Sequence, residues 1–319
     1  MSRTTFRVLP QTYNHDVAAN RRRRETTKWL TVALFVVPGM AVFLLFILIP
    51  LVQSAFFSVY RWNGFGPLEN YVGLENYQRL WGHNIFLDSV LHSFTIVALS
   101  LLIQLPMALA LALLVGRGSL PGRRIFRMIL FVPYVFSEIL TAVIFDYVLH
   151  PHEGLVNTIF RTLIPNYQNI AWLGDRHLVL ISIFAVLTWK YFGFHMILYM
   201  AGLQNIPQDL EEAARVDGAT EWQVLRRVTL PLLGPTIRLT VFLSVLGSLQ
   251  QFELVWVLTE GGPVNASELI GTYLYKFGIQ RFNLGYGSAV AVSLFLITLV
   301  FSLGYQRMIM RQDYSYEML

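Results

Sequence analysis

The chain has 319 residues, 55% of them hydrophobic and only 13% charged, with a formal net charge of +5 and no cysteine. A soluble domain carries about 25% charged residues, so this chain lacks the side chains to cover a water-facing surface, and a bilayer is its expected solvent. The missing cysteine excludes disulfides and thiolate metal sites, and the basic excess is assigned to cytoplasmic loops rather than to nucleic acid.

Residues 1–28 are polar and include the run Arg21–Arg24; they are expected to form a mobile, basic cytoplasmic tail. A membrane helix needs about 20 mainly apolar residues. Six stretches qualify: Trp29–Leu51, Val90–Val115, Phe126–Leu149, Leu178–Ala201, Leu239–Leu258 and Leu284–Gln306. The first is about 23 residues long, too long for a signal-peptide core, and no small-residue cleavage site follows, so it is expected to remain as a span. Pro38, Pro106 and Pro133 lie inside spans, where membrane helices tolerate proline.

Lys plus Arg alternate between the spans. The N-terminal tail holds seven, the successive loops two, four (Arg127, at the start of span three, counted with the loop before it), two, four and two, and the C-terminal tail two. Segments rich in Lys and Arg stay in the cytoplasm, which predicts an all-α membrane protein of six spans with both termini inside. Residues 29–310 then form the membrane domain and 311–319 a short cytoplasmic tail.

Polar groups within spans are costly and tend to face a cavity or the bundle interior. Span three carries Glu138 and, near its outer end, Asp146. Glu138 is deeper and is expected to pair with Lys190 or His195 of span four or to face a cavity. Span four concentrates Trp189, Lys190, Tyr191, Phe194 and His195, aromatic faces with a few donors. Trp and Tyr also serve as interface anchors, and Lys190 could snorkel. In span five, Ser244, Ser248 and Gln251 are spaced i, i+4, i+7, within about 60° of one helix face, with Gly247 beside them. Such a stripe suits a pathway for a neutral, hydroxylated solute, although interhelical hydrogen bonding would use the same residues. Glu253 falls on the opposite face, where it is expected to contact a partner subunit or another span.

The loop between spans four and five, about 202–238, has its own architecture. Pro207 suits a first helical turn, and Asp209, Glu211 and Glu212 sit near that positive helix end. Gly218 can take the left-handed conformation that stops the helix. Thr220 with Gln223 forms a capping box for a second helix, and Pro231 and Pro235 end it before span five. The helix–turn–helix outline does not suit DNA. Five acids stand against three bases between Asp209 and Arg227, whereas phosphate binding wants Lys and Arg.

Within this loop, Glu212-Ala213-Ala214, three residues, Gly218, nine residues and then Val228-Thr229-Leu230-Pro231 resembles the EAA loop of ABC importer permeases, with Val228 where the family has Ile. The resemblance spans roughly residues 29–310 and includes LTEGGP at Leu258–Pro263 in an outward loop. It points to maltose-type and glycerol-phosphate-type sugar permeases, specifically the first of their two permease subunits. Maltose-type versions can carry extra N-terminal spans and a large external insertion, and neither is visible here.

The resemblance implies the type I importer permease fold in the bacterial inner membrane. It also implies a heterodimer with a second homologous permease, an ATPase subunit dimer and an external solute-binding protein. Glu212, Ala213, Ala214, Gly218, Leu230 and Pro231 would couple the chain to the ATPase, with small residues permitting close approach. Tyr191 and Phe194 align with sugar-contacting positions, beside the stripe of Ser244, Gly247, Ser248 and Gln251. ATP and Mg would be bound by the partner, and this sequence has no G-x-x-x-x-G-K-[ST] phosphate loop. No catalytic residue, cofactor or metal is expected.

Two other classes compete with this reading. An ion-coupled secondary transporter would show inverted repeats and midplane ion sites, and no internal repeat is visible. A membrane-embedded enzyme would need a nucleophile with a base or a metal cluster. The seven histidines, at 15, 83, 92, 150, 152, 177 and 195, are scattered. Only His150 and His152 are close, in an outward loop that reads as a solvated turn. The solute itself is not named by the sequence.

Overall fold

Nothing between Thr12 and Trp29 breaks a helix, since the segment has neither Gly nor Pro, and the first helix begins there. The computed structural model describes residues 12–117 and 122–310. Residues 1–11 of the expected N-terminal tail and the whole expected tail 311–319 lie outside the described residues. The described residues divide into two compact units, one within 1–56 and one within 57–319.

In the first unit, helix α1 (Thr12–Phe43) continues through a π turn at Leu44–Leu48 into α2 (Ile49–Phe57). The segment from 12 to 28, expected to be mobile, is therefore helical and runs without interruption into the first span. Pro38 lies within α1. The apolar stretch Thr27–Phe57 is long enough to cross a membrane.

The second unit opens with a chain crossing, an antiparallel bridge between Tyr60 and Tyr71, and the short helix α3 (Glu75–Trp81). Helix α4 (Asn84–Leu99), a π turn at Ser100–Gln104 and α5 (Leu105–Arg117) together make a second span. Then follow α6 (Arg123–Val135), α7 (Glu138–Val148), α8 (Leu155–Leu163) and the long α9 (Val179–Gln204). The 202–238 loop contains α10 (Gln208–Val216), α11 (Glu221–Val224), a π turn at Leu225–Thr229 and α12 (Leu230–Leu232). The chain ends with α13 (Gly234–Leu249), α14 (Glu253–Thr259), α15 (Ile270–Tyr273), a π segment Leu274–Ile279 and α16 (Leu284–Met308). Four helical stretches are long and apolar enough to cross a membrane, or six if each bent pair of helices is one span.

Two expected spans are not continuous. Span three is two helices, α6 and α7, meeting at 99° across Phe136 and Ser137. Ser137 starts the second half as a helix cap, its side chain accepting from Leu140 N. The expected fifth span is also divided: α13 stops at Leu249, Gln250 to Phe252 are not helical, and α14 restarts at Glu253.

Helix α9 lies at the centre of this unit, packed against α5, α6, α7 and α13. Gly193 allows the closest of these approaches, since a Cβ there would overlap the Leu130 carbonyl of α6. One core joins Val179, Ile183, Val186 and Leu187 of α9 with Leu254, Val255 and Leu258 of α14. A second joins Met196, Tyr199 and Met200 to Ala108 and Ala112 of α5. The two cores grip the ends of α9 and leave its middle, around Tyr191 to His195, beside an open space.

Candidate functional site

That space is a cavity of about 550 Å³. Three of its walls are irregular helix: the π turn of the second span, the start of α7 after the first break, and the 250–252 break after α13. Irregular backbone in a membrane protein is tolerated where it is buried in protein or lines a cavity, and π turns collect at functional sites. The fourth wall is the middle of α9.

The backbone groups freed at the first break are met by protein. Lys190 is 3% exposed; it does not snorkel to an interface. Its Nζ donates to Phe136 O at 2.5 Å, one of the carbonyls left over where α6 ends. Trp189 stacks on Phe136, with planes 10° apart, and holds the same corner from the side. Glu138, the first residue of α7, then enters the cavity wall. It accepts from the Tyr191 hydroxyl, from Gln251 Nε2 at 2.9 Å and from the Leu254 backbone N–H at 3.3 Å. Of the alternatives open in the sequence, the cavity-facing one holds; the hydrogen-bond partners of Glu138 are Tyr191, Gln251 and Leu254, not Lys190 or His195.

All six residues proposed for a solute path, Tyr191, Phe194, Ser244, Gly247, Ser248 and Gln251, line this one cavity. They reach it differently from the expected stripe. Ser244 and Ser248 share a face of α13, but Gln251 lies in the break and reaches the cavity through its bond to Glu138. Glu253 must be corrected. Its placement on an opposite face assumed an unbroken helix through 250–252, and with the phase lost it lines the cavity. Phe194 stacks on Tyr134 at 4.8 Å with planes 16° apart, giving a flat aromatic plate. Ser244 Oγ and His195 Nδ1 are buried without a protein hydrogen-bond partner.

Ser100 and Gln104 also line the cavity, bonded to each other across the π turn. They were missed in the sequence, although two polar residues at i and i+4 in an apolar span give the same signal as Ser244 and Ser248. Asp146 is exposed on α7. His150 and His152 occupy a turn, where His150 Nδ1 accepts from Glu153 N at 3.3 Å.

The 202–238 loop forms a second constellation. Pro207 is the N-cap of α10, one position before the expected first turn. Gly218 has φ +86°, the left-handed conformation that ends α10. Thr220 and Gln223 close the capping box, with Thr220 N to Gln223 Oε1 at 2.8 Å and Gln223 N to Thr220 Oγ1 at 3.4 Å. Thr229 Oγ1 donates to the buried Glu211 carboxylate at 2.5 Å, and Arg215 Nε bonds Glu221 at 2.7 Å, so the two helices are clasped. Glu212, Ala213, Gly218 and Pro231 are exposed; Ala214 and Leu230 are half-buried. Two large apolar side chains stand out beside them, Val216 at 87% and Trp222 at 66% exposure. Beyond Leu232 the chain turns by 66° into α13. The LTEGGP segment packs on the buried Glu268, which pairs with the half-buried Lys276 Nζ at 3.0 Å.

With this geometry in place, known proteins can be compared. A family model described as binding-protein-dependent transport system inner membrane component matches residues 104–312. A probable ABC transporter permease protein of Bacillus subtilis (strain 168) is 34% identical over 271 residues, 85% of this chain and 92% of that protein. The trehalose/maltose transport system permease protein of Thermococcus litoralis is 33% identical over 277 residues, 85% of this chain and 91% of that one. A crystal structure of a bacterial alginate ABC transporter, in complex with an alginate pentasaccharide-bound periplasmic protein, contains a chain that matches with a TM-score of 0.79 and 26% identity, over 90% of this chain and 96% of that chain. This chain therefore belongs to the family of inner-membrane permease components of binding-protein-dependent transport systems.

Proposed function

We propose that this permease carries a sugar or related hydroxylated solute through the cavity between α9 and the broken spans. The observation that carries the proposal is the wall itself: a flat aromatic plate, Tyr134 on Phe194, lines the same cavity as the neutral hydrogen-bonding groups of Ser100, Gln104, Ser244, Ser248 and Gln251. Aromatic faces cover the apolar face of a sugar ring, and a few placed polar groups fix its hydroxyls. The name of the Thermococcus relative, with trehalose and maltose in it, agrees with this class.

Coupling to the ATPase runs through the 202–238 loop. The exposed Ala213 and Gly218 offer close approach, and the large exposed apolar side chains of Val216 and Trp222 are ones a docked partner would cover. ATP and Mg are bound by that partner, and this chain has no catalytic role. The second half of the pathway comes from a homologous permease, and an external binding protein delivers the solute. The chain divides functionally into a basic N-terminal segment, 1–28, the membrane domain, 29–310, and a short cytoplasmic end, 311–319.

The test is purification of the membrane complex and reconstitution with its binding protein. An ATPase subunit is expected to co-purify, and its hydrolysis to rise with binding protein loaded from a panel of maltose, trehalose and lactose. Uptake that persists without ATP and follows an ion gradient would overturn the proposal in favour of a secondary transporter.

A further inference from the structure

We propose that Glu253 makes the cavity a charge filter that turns back anions, so that the solute carries no net negative charge. The inference rests on the cavity being the solute path and adds the charge class of the cargo. Two carboxylates, Glu138 and Glu253, stand on the wall, and among the described lining residues there is neither Lys nor Arg. The two acids differ in their surroundings. Glu138 is held by three donors, and the buried ammonium of Lys190 lies close behind it, 5.4 Å from the Tyr191 ring. Glu253 lines the cavity, is exposed in this chain and has no hydrogen-bond or ion-pair partner among the described residues. No Lys or Arg in this chain's part of the wall answers its charge.

A second observation says what kind of group the cavity takes. Ser244 and His195 are each only 5% exposed, and Ser244 Oγ and His195 Nδ1 lack protein partners. Buried polar atoms of this kind are satisfied by a ligand or by water. Both residues line the same cavity and suit hydroxyls. A carboxylate or phosphate would meet the same two atoms but would find no Lys or Arg on this chain's lining to pair with, and burying an unpaired charge is costly. Low-dielectric walls focus the field of Glu253 into the passage. Phosphorylated and uronate-bearing solutes are excluded on this account; neutral sugars, polyols and amine-bearing sugars are admitted.

The native chain has no cysteine, so labelling read on this chain alone reports the potential at one introduced thiol. A Cβ added at Gly247 meets no atom within 4 Å, and Gly247→Cys places a thiol on the wall without a clash. The complex is purified whole, and this thiol is reacted with cationic, neutral and anionic methanethiosulfonates. Each rate is divided by that of the same reagent with a free small thiol. The normalised cationic rate is expected to exceed the anionic one by roughly tenfold at low salt. Adding Glu253→Gln should cut that ratio at least several-fold, and Glu253→Lys should reverse it. The neutral reagent's rate and the recovery of partner subunits report whether each variant is folded. A ratio near one in the Gly247→Cys complex, or one that Glu253→Gln leaves unchanged, overturns the filter. Labelling needs no transport, so a charge-selective cavity in a complex that moves no sugar would count against the transport proposal alone.

Discussion

Glu138 and Gln251 are joined by a 2.9 Å hydrogen bond, and each sits where a span is broken. Glu138 begins α7 after the 99° corner, and Gln251 lies in the gap between α13 and α14. One carboxylate thus ties the two irregular walls of the cavity together and holds Tyr191 of α9 as a third member. Removing it strands three donors. Glu138→Ala is expected to destabilise the complex by about 1–3 kcal/mol for each group left buried and unpaired, read as a lower melting temperature and lower yield. Glu138→Gln keeps an acceptor oxygen and should lose less. Equal melting temperatures for the wild type and Glu138→Ala would show that the bonds contribute nothing.

Lys190 acts on the other side of the same corner. Lys190→Met keeps the apolar stem but leaves the Phe136 carbonyl without its donor. The variant is expected to lower complex yield and melting temperature by an amount matching about 1–3 kcal/mol, whereas Lys190→Arg, which still donates, should lose less. If Met and Arg behave alike, the ammonium is not what holds the corner.

Gly218 separates backbone strain from partner contact. Its φ of +86° penalises any L-residue, by about 1–2 kcal/mol, while a Cβ there meets no atom of this chain within 4 Å. Asn tolerates this conformation best among non-glycine residues. Gly218→Asn should therefore lose less uptake and ATPase recovery than Gly218→Trp, which adds bulk toward the partner. A Gly218→Trp complex with normal ATPase recovery and normal uptake would show that the turn is not a docking surface.

Topology follows from the Lys and Arg alternation. A cysteine at Ala219, in the 202–238 loop, should react with an impermeant reagent only from the cytoplasmic side of intact cells or vesicles. Reaction only from outside would invert the arrangement of six spans.

Much of this was legible in the sequence. Thr220 with Gln223 and the glycine at 218 specify a cap and a stop, because those devices are local and carry their own hydrogen-bond chemistry. Hydropathy found the apolar stretches but not their breaks, since it counts side chains and is blind to the helix axis. The corner at Phe136 was written as Pro133 followed by Ser137 and Glu138, a cap with an acid after it, which is a helix-start signal embedded in apolar residues. The face of Glu253 was not legible for the same reason: three non-helical residues, 250–252, reset the helical phase before it. Ser100 and Gln104 carry the same i, i+4 polar signal as Ser244 and Ser248, but nothing in the sequence announces the π turn that spans them.

The most direct test of the central claim, that solute crosses through this cavity, uses Gly247. It lines the wall, and its side of the helix is open, so successive replacements fill the passage without displacing the core. Gly247→Ala, Gly247→Leu and Gly247→Trp are compared for binding-protein-dependent uptake at matched complex levels. Uptake is expected to fall in that order and to be abolished by Trp, with the partner subunits recovered throughout. Full uptake by the Gly247→Trp complex would contradict the account and place the pathway elsewhere.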